Sequence, residues 1–274
     1  MKFEQHLKIE NQKKTAVDAL EQSTELTRQA IKQAMTKGAV WFTRNKSTQR
    51  IRRADKPLKP EDELHLYFDS SILEVEPQAA TLVADEGVYS IWAKPFGMLC
   101  QGSKWGDHCT INRWSERNLE PQRPAFIVHR LDRAATGLII IAHKKNVAAY
   151  FANLFQQREI EKKYQAIVEG ELSDDLKLDT KIETKPALSF VKAISYNAET
   201  NQSLVEVTIE TGRKHQIRRH LSEAGFPIVG DRLYGQGDKT SSDLCLTSCY
   251  LSFASPIDGT TKSYRLPERL RLKI

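Results

Sequence analysis

Ala30, Ile31, Ala34 and Met35 recur on one face of a 3.6-residue period, and predict a helix over residues 24–37, capped by Ser23 or Thr24 and stopped at Gly38. Val40-Trp41-Phe42 predicts a short strand. Leu64-His65-Leu66-Tyr67-Phe68 alternates as a half-buried strand does. Between them a polar turn, 43–53, leads on through Pro57 and Pro60. With Pro77 and few large apolar residues after Val75, the stretch 70–81 reads as a linker.

The pattern then repeats on a larger scale. Val88-Tyr89-Ser90-Ile91-Trp92-Ala93 predicts a strand that runs into Lys94-Pro95-Phe96-Gly97, where proline and glycine force a turn. Gly137-Leu138-Ile139-Ile140-Ile141-Ala142 predicts a second strand, and Val147, Phe151, Leu154 and Phe155 a helix over 146–158. Two more strands are expected, at 162–168 and 205–209. Ile217, Leu221 and Ala224 then mark a helix stopped by Gly225 and Pro227, with Arg218 beside its apolar stripe.

At 274 residues the chain has room for two unequal domains, expected at 1–76 and 77–274. With 40% hydrophobic and 28% charged residues the composition is that of an ordered globular protein. The longest apolar run, 138–142, is far short of the roughly 20 residues that cross a bilayer, and residues 1–6 lack the apolar segment of a secretory signal. A cytoplasmic protein without a membrane span is expected. Cys100, Cys109, Cys245 and Cys249 form no C-x-x-C pair and read as free thiols.

Net charge is +6, a modest bias toward polyanions, but its placement is uneven. Residues 27–59 carry ten Lys or Arg against one acid, Asp55. Helix, strand, basic turn and strand, with Gly38-Ala39-Val40, Asn45 and Lys59-Pro60-Glu61-Asp62, resemble the small α/β RNA-binding domain of ribosomal protein S-four. The resemblance makes Arg44, Lys46, Arg50, Arg52 and Arg53 candidates for phosphate contacts.

A stronger resemblance lies further on. His129-Arg130-Leu131-Asp132 followed by Gly137, Lys163-Tyr164-Gln165-Ala166-Ile167-Val168-Glu169-Gly170, Gly212-Arg213-Lys214-His215-Gln216-Ile217-Arg218 with His220, and Pro227-Ile228-Val229-Gly230-Asp231 stand in the order of the RluA family of RNA pseudouridine synthases. Lys94-Pro95-Phe96-Gly97 matches that family's opening motif. Ala135 and Ala93 depart from it, where a Thr and an Asn are usual. The resemblance implies an α+β catalytic domain on a mixed, largely antiparallel sheet. It implies a substrate in ribosomal or transfer RNA, Asp132 as the reacting carboxylate, Arg218 as its partner and Tyr164 as the residue against the uracil. Arg130 would assist extrusion of the base, and Arg213, His215 and Gln216 would face the RNA or support the site.

The chemistry suits these residue types. Isomerising uridine breaks a carbon–nitrogen glycosidic bond, turns the uracil and rejoins it through carbon 5. A carboxylate can attack the anomeric carbon or remove a sugar proton, and the sequence leaves both open. A guanidinium within about 4–6 Å keeps such a carboxylate ionised. Net isomerisation calls for no cofactor. No H-E-x-x-H supports a metal site at His129 or His215, and Gly235-Gln236-Gly237 is too short for a phosphate loop. A monomer is the simplest expectation. The alternatives are an RNA-binding protein of the same fold that no longer turns over, and a nucleoside hydrolase, for which a second catalytic carboxylate is missing.

Overall fold

The computed structural model describes residues 1–10, 15–235 and 243–274. They divide into two compact units, one of Met1–Gln78 with Gln101–Trp114, the other of Ala79–Cys100 with Ser115–Ile274. The expected single division after residue 76 lies close to the first change of unit. What differs is the excursion of 101–114 into the first unit. It is held there by groups remote in sequence: Trp41 Nε1 donates to Lys104 O at 3.0 Å, and Asp107 N to Lys37 O at 3.0 Å.

The first unit runs β1 (Lys2–Lys8), α1 (Ala16–Ser23), α2 (Arg28–Thr36), β2 (Val40–Arg44), β3 (Ser47–Arg50), β4 (Glu63–Asp69) and the single turn α3 (Ser70–Leu73). Its antiparallel sheet has the order β1-β4-β2-β3. The expected helix 24–37 is shorter than its periodicity suggested. Thr27 caps α2, its Oγ1 accepting from Ala30 N at 3.2 Å. Ahead of it stands α1, closed by a capping box in which Thr15 Oγ1 accepts from Asp18 N and Asp18 accepts from Thr15 N. The basic turn is a β-hairpin. Asn45 and Lys46 take φ of +50° and +65°, the pair of left-handed residues that matches strand twist in a two-residue loop. Leu20, Ile31, Met35, Phe42, Leu64 and Leu66 form the core between helices and sheet.

The second unit continues with β5 (Thr81–Asp85) and β6 (Tyr89–Lys94). Helix α4 (Ile111–Asn118) spans the change of unit. Then follow β7 (Phe126–Ile127), β8 (Thr136–Ala142), α5 (Lys145–Gln157), β9 (Glu161–Glu169), β10 (Leu176–Leu178), β11 (Ser189–Asn197), β12 (Gln202–Ile209), α6 (Gln216–Glu223), β13 (Leu246–Ala254) and β14 (Thr261–Arg265). The sheet order is β10-β11-β12-β9-β13-β8-β6-β5, with β14 on β13 and β7 on β8. Its pairings are antiparallel except β13 with β8, so the sheet is mixed and largely antiparallel. The apolar runs of β6 and β8 are buried neighbours toward the β5 end of the sheet, and α5 packs Val147, Phe151 and Leu154 in the same core.

Gly137 makes the parallel pairing possible. It sits at φ +98° opposite Ser248, where a Cβ would stand 2.2 Å from Ser248 O. That is the physical content of a glycine five residues after Asp132. No helix among the described residues is long and apolar enough to cross a membrane. Of the Gly235-Gln236-Gly237 segment, the last two residues lie outside the described residues.

Candidate active site

Asp132 lies in the loop between β7 and β8, and the turn after β6 grips the backbone on both sides of it. Cys100 Sγ donates to Leu131 O and accepts from Leu131 N, each at 3.3 Å. Gly97 N donates to Arg133 O at 3.0 Å. Lys94 Nζ, 1% exposed, donates to Pro95 O, Met98 O and Arg133 O at 3.0, 2.9 and 3.3 Å. Burial pushes the Lys94 pKa down to about 8, opposed by the neighbouring Cys100 and Asp132. His129 is fixed just upstream. Its Nε2 accepts from Ile140 N at 2.9 Å, its ring packs on Phe155 at 4.7 Å, and burial pushes its pKa down to about 3. It is a neutral structural residue.

Arg218 reaches the same place from α6, on the buried side of the helix. Nη1 stands 3.3 Å from Asp132 Oδ2. Its main partner, however, is Asp231, bound through Nε at 2.8 Å and Nη2 at 2.7 Å. Asp231 also accepts from the backbone N–H of Leu233 and Tyr234. Burial opposes both charges, but the paired groups outweigh it, so the Asp231 pKa is lowered and that of Arg218 raised. The expected carboxylate–guanidinium pair is therefore present as one arm of an Asp–Arg–Asp arrangement whose stronger arm sequence reasoning missed. Asp231 closes the Pro227-Ile228-Val229-Gly230-Asp231 motif, but nothing in its spacing of 13 from Arg218 indicates contact.

Tyr164 comes from β9 and is 8% exposed. Burial, followed by the charge of Asp132, raises its pKa, so the phenol keeps its proton. Arg130, Asp132, Tyr164, Arg213, His215 and Arg218 line one open cleft, with Leu131, Ala135, Ile209, Ile217 and Leu246 supplying apolar walls. Arg130 is exposed at its edge, and Arg213 Nε donates to Pro186 O at 3.1 Å. Gln216 lines the cleft but has no free polar atom. Its oxygen accepts from Thr211 Oγ1 and Arg213 N, and its nitrogen donates to Leu188 O and Ser189 Oγ. These bonds tie the 211–213 loop to Leu188 and Ser189. His220 is likewise structural, between Ser189 Oγ and Thr180 O. Among the described residues no group of three or more His, Cys, Asp or Glu is arranged to hold a metal.

In the first unit the basic residues part company. Arg44 forms a two-pronged pair with Asp62 at 2.8 and 2.6 Å. Arg50 donates to Gly38 O and Ser103 O and lies over the Trp41 ring at 4.2 Å. Arg52 donates to Asp107 at 2.5 Å and Thr36 O at 3.0 Å. These three, expected to face phosphates, are engaged within the unit. Lys46 at the hairpin tip and Arg53 are exposed, with no side-chain ion pair among the described residues.

Residues 88–223 match the family model described as RNA pseudouridylate synthase. The dual-specificity RNA pseudouridine synthase RluA of Haemophilus influenzae is 34% identical over 153 residues, half of this chain and 70% of that protein. The chain belongs to the RluA family of RNA pseudouridine synthases. Ribosomal large subunit pseudouridine synthase D of Neisseria meningitidis serogroup A is 28% identical over 261 residues, 78% of this chain and 67% of that one. The tRNA pseudouridine synthase C of Haemophilus ducreyi is 30% identical over 167 residues, 52% of this chain and 68% of that one. In fold, human RNA pseudouridylate synthase domain containing 1 superposes with a TM-score of 0.59 at 20% identity, covering 71% of this chain and 86% of that one. The cleft of this RluA-family synthase lies in the unit that contains nearly all of the family match.

Proposed function

We propose that this synthase converts a uridine of a folded ribosomal or transfer RNA to pseudouridine, with Asp132 as the reacting carboxylate. The observation that carries the reading is the meeting, in one open cleft, of Asp132, Arg218 and Tyr164 from a loop, a helix and a strand far apart in sequence. Arg218 contacts Asp132 from one side, Nη1 to Oδ2 at 3.3 Å, and leaves Oδ1 directed elsewhere. The carboxylate either attacks C1′ as the C1′–N1 bond breaks, or takes a sugar proton to give a glycal. In both cases the uracil turns in the cleft; C5 then bonds to C1′, displacing the carboxylate on the first route or with return of the proton to C2′ on the second, and the C5 proton leaves. Tyr164, kept protonated by burial, can pack against the free base and give or share a hydrogen bond, but does not act as a phenolate. The target base must first leave its stack, for about a few kcal/mol, and Arg130, exposed at the cleft edge, assists that extrusion.

The first unit serves as an S-four-like RNA-docking module, with Lys46 and Arg53 as its free cations. One cleft acting on one RNA site needs only a monomer, and the cytoplasm is where such RNA is met. The test is pseudouridine formation on RNA from a strain lacking the modification. Asp132→Asn should abolish it while leaving RNA binding nearly intact. Equal turnover by that variant would remove Asp132 from the mechanism.

A further inference from the structure

Tyr234, three residues beyond Asp231, takes no part in the bond-breaking and bond-making steps at the sugar. Its phenol oxygen stands 2.9 Å from His215 Nδ1 and 3.1 Å from Arg219 Nε. A guanidinium nitrogen can only donate, so the phenol oxygen accepts from Arg219 and its single O–H is left to point at His215. Nδ1 must then accept, which places the proton of the neutral imidazole on Nε2. Nε2 is the nitrogen that faces the cleft, 3.8 Å from Asp132 Oδ1. The other tautomer would leave the phenol hydrogen without this acceptor and aim a lone pair at a carboxylate. Both ends of the ring select the same form.

Two further features mark His215 as constrained. It begins α6 with φ +55° and ψ +29°, a left-handed state uncommon for a residue with a Cβ, and its side chain makes no capping hydrogen bond in return. Burial lowers its pKa, Asp132 pulls the other way, and Arg218, Lys214 and Arg219 add to the lowering, so the neutral ring is favoured.

We propose that Tyr234 is a positioning residue that fixes His215 as the neutral Nε2–H tautomer, making the imidazole a hydrogen-bond donor to Asp132 Oδ1 while Arg218 holds Oδ2. Each carboxylate oxygen then has its own donor, and the plane of the group is set from two sides. The 3.8 Å gap closes to a hydrogen bond with a shift of less than about 1 Å. A neutral donor achieves this without a second full positive charge beside Arg218. The proposal rests on Asp132 being the reacting carboxylate.

The test uses the full chain labelled with ¹⁵N-histidine, with long-range proton–nitrogen correlations at pH 7.5, beside steady-state kinetics on RNA. His215 should show a protonated Nε2 and a bare Nδ1. Tyr234→Phe should mix the two tautomers and lower kcat about tenfold with KM little changed, the loss of roughly one hydrogen bond in the transition state. His215→Gln, whose amide N–H falls near the Nε2 position, should keep most of the rate that His215→Leu loses. A wild-type His215 protonated on Nδ1, or present as imidazolium at pH 7.5, overturns the proposal, as does wild-type kcat in Tyr234→Phe. If instead Asp132→Asn remains active, the reaction assignment fails, and the spectrum still reports the tautomer independently.

Discussion

Replacing Asp231 by Asn separates two duties of Arg218. The guanidinium is 6% exposed and the Asp231 carboxylate 1%, joined by hydrogen bonds of 2.8 and 2.7 Å. Removing one charge from such a pair commonly costs about 3–5 kcal/mol, because the other is left buried and uncompensated. Asn keeps one acceptor, so the lower end, about 3 kcal/mol, is expected. Asp132 is 27% exposed and touches Arg218 at 3.3 Å only, so Asp132→Asn should cost less than about 1 kcal/mol. At about 2–4 °C per kcal/mol for a chain near this size, the melting midpoint should fall by roughly 6–12 °C in the first variant and by less than about 4 °C in the second. Urea unfolding measures the stabilities, and tritium release from RNA labelled at uridine C5 measures turnover. Asp231→Asn should be destabilised and slowed, Asp132→Asn stable and inactive. Equal loss of stability in the two would make Asp132 the principal partner and refute the assignment. Because the folded pKa of Asp231 lies below its unfolded value, its contribution is complete above the unfolded carboxyl pKa of about 3.9 and is lost as pH falls through the folded value. The variant should therefore show a flatter acid limb of stability.

Lys46→Ala with Arg53→Ala should weaken RNA binding and reduce its salt dependence by about 0.7–0.9 log units per tenfold salt for each phosphate no longer neutralised, whereas Arg44→Ala should chiefly lower stability; a filter-binding salt series and urea unfolding distinguish them, and an unchanged slope in the double variant would leave these cations facing solvent. Gly137→Ala should cost more than about 1 kcal/mol, since the new Cβ meets Ser248 O at 2.2 Å in a left-handed backbone, and a normal melting midpoint would contradict the close β8–β13 approach. Lys94→Met leaves three carbonyls without their donor and loosens the loop around Asp132, so kcat should fall more than KM changes, and stability should drop by about 1–3 kcal/mol in urea; unaltered kcat would mean the loop keeps its shape without the ammonium.

Strands β6 and β8 and helix α5 were legible because burial leaves a mark on the sequence. Leu138 to Ala142 is a short continuous apolar run after a glycine, which suits a buried strand, and Val147, Phe151 and Leu154 recur on one helical face. The motif residues of the cleft were legible because each kept its type and order. What could not be read were contacts between polar groups distant in sequence. Asp231 with Arg218, Asp107 with Arg52, and Trp41 with Lys104 leave no periodic trace. A basic residue bound to an acid 55 positions away looks, in the sequence, the same as one waiting for phosphate. That is why the cation-rich hairpin suggested five RNA contacts, while Arg44, Arg50 and Arg52 are engaged inside their unit. The start of α2 was misplaced for a local reason, and α1 was not expected at all. Thr27 caps α2 through a hydrogen bond to the N–H group three residues on, and Ser23 and Thr24 just ahead of it were equally plausible caps.

The arrangement around Arg218 also has a chemical logic. A guanidinium bound only to Asp132 would have to orient that carboxylate while having no other partner to fix its own plane. Here Asp231 takes the two-pronged geometry through Nε and Nη2 and fixes the plane of the guanidinium. Nη1 is left to approach Asp132 at 3.3 Å. The buried acid fixes the cation, and the cation meets the half-open acid in a set orientation. If Asp132 reacts as proposed, dividing the guanidinium between two carboxylates lets one side chain be anchored by the first and orient the second.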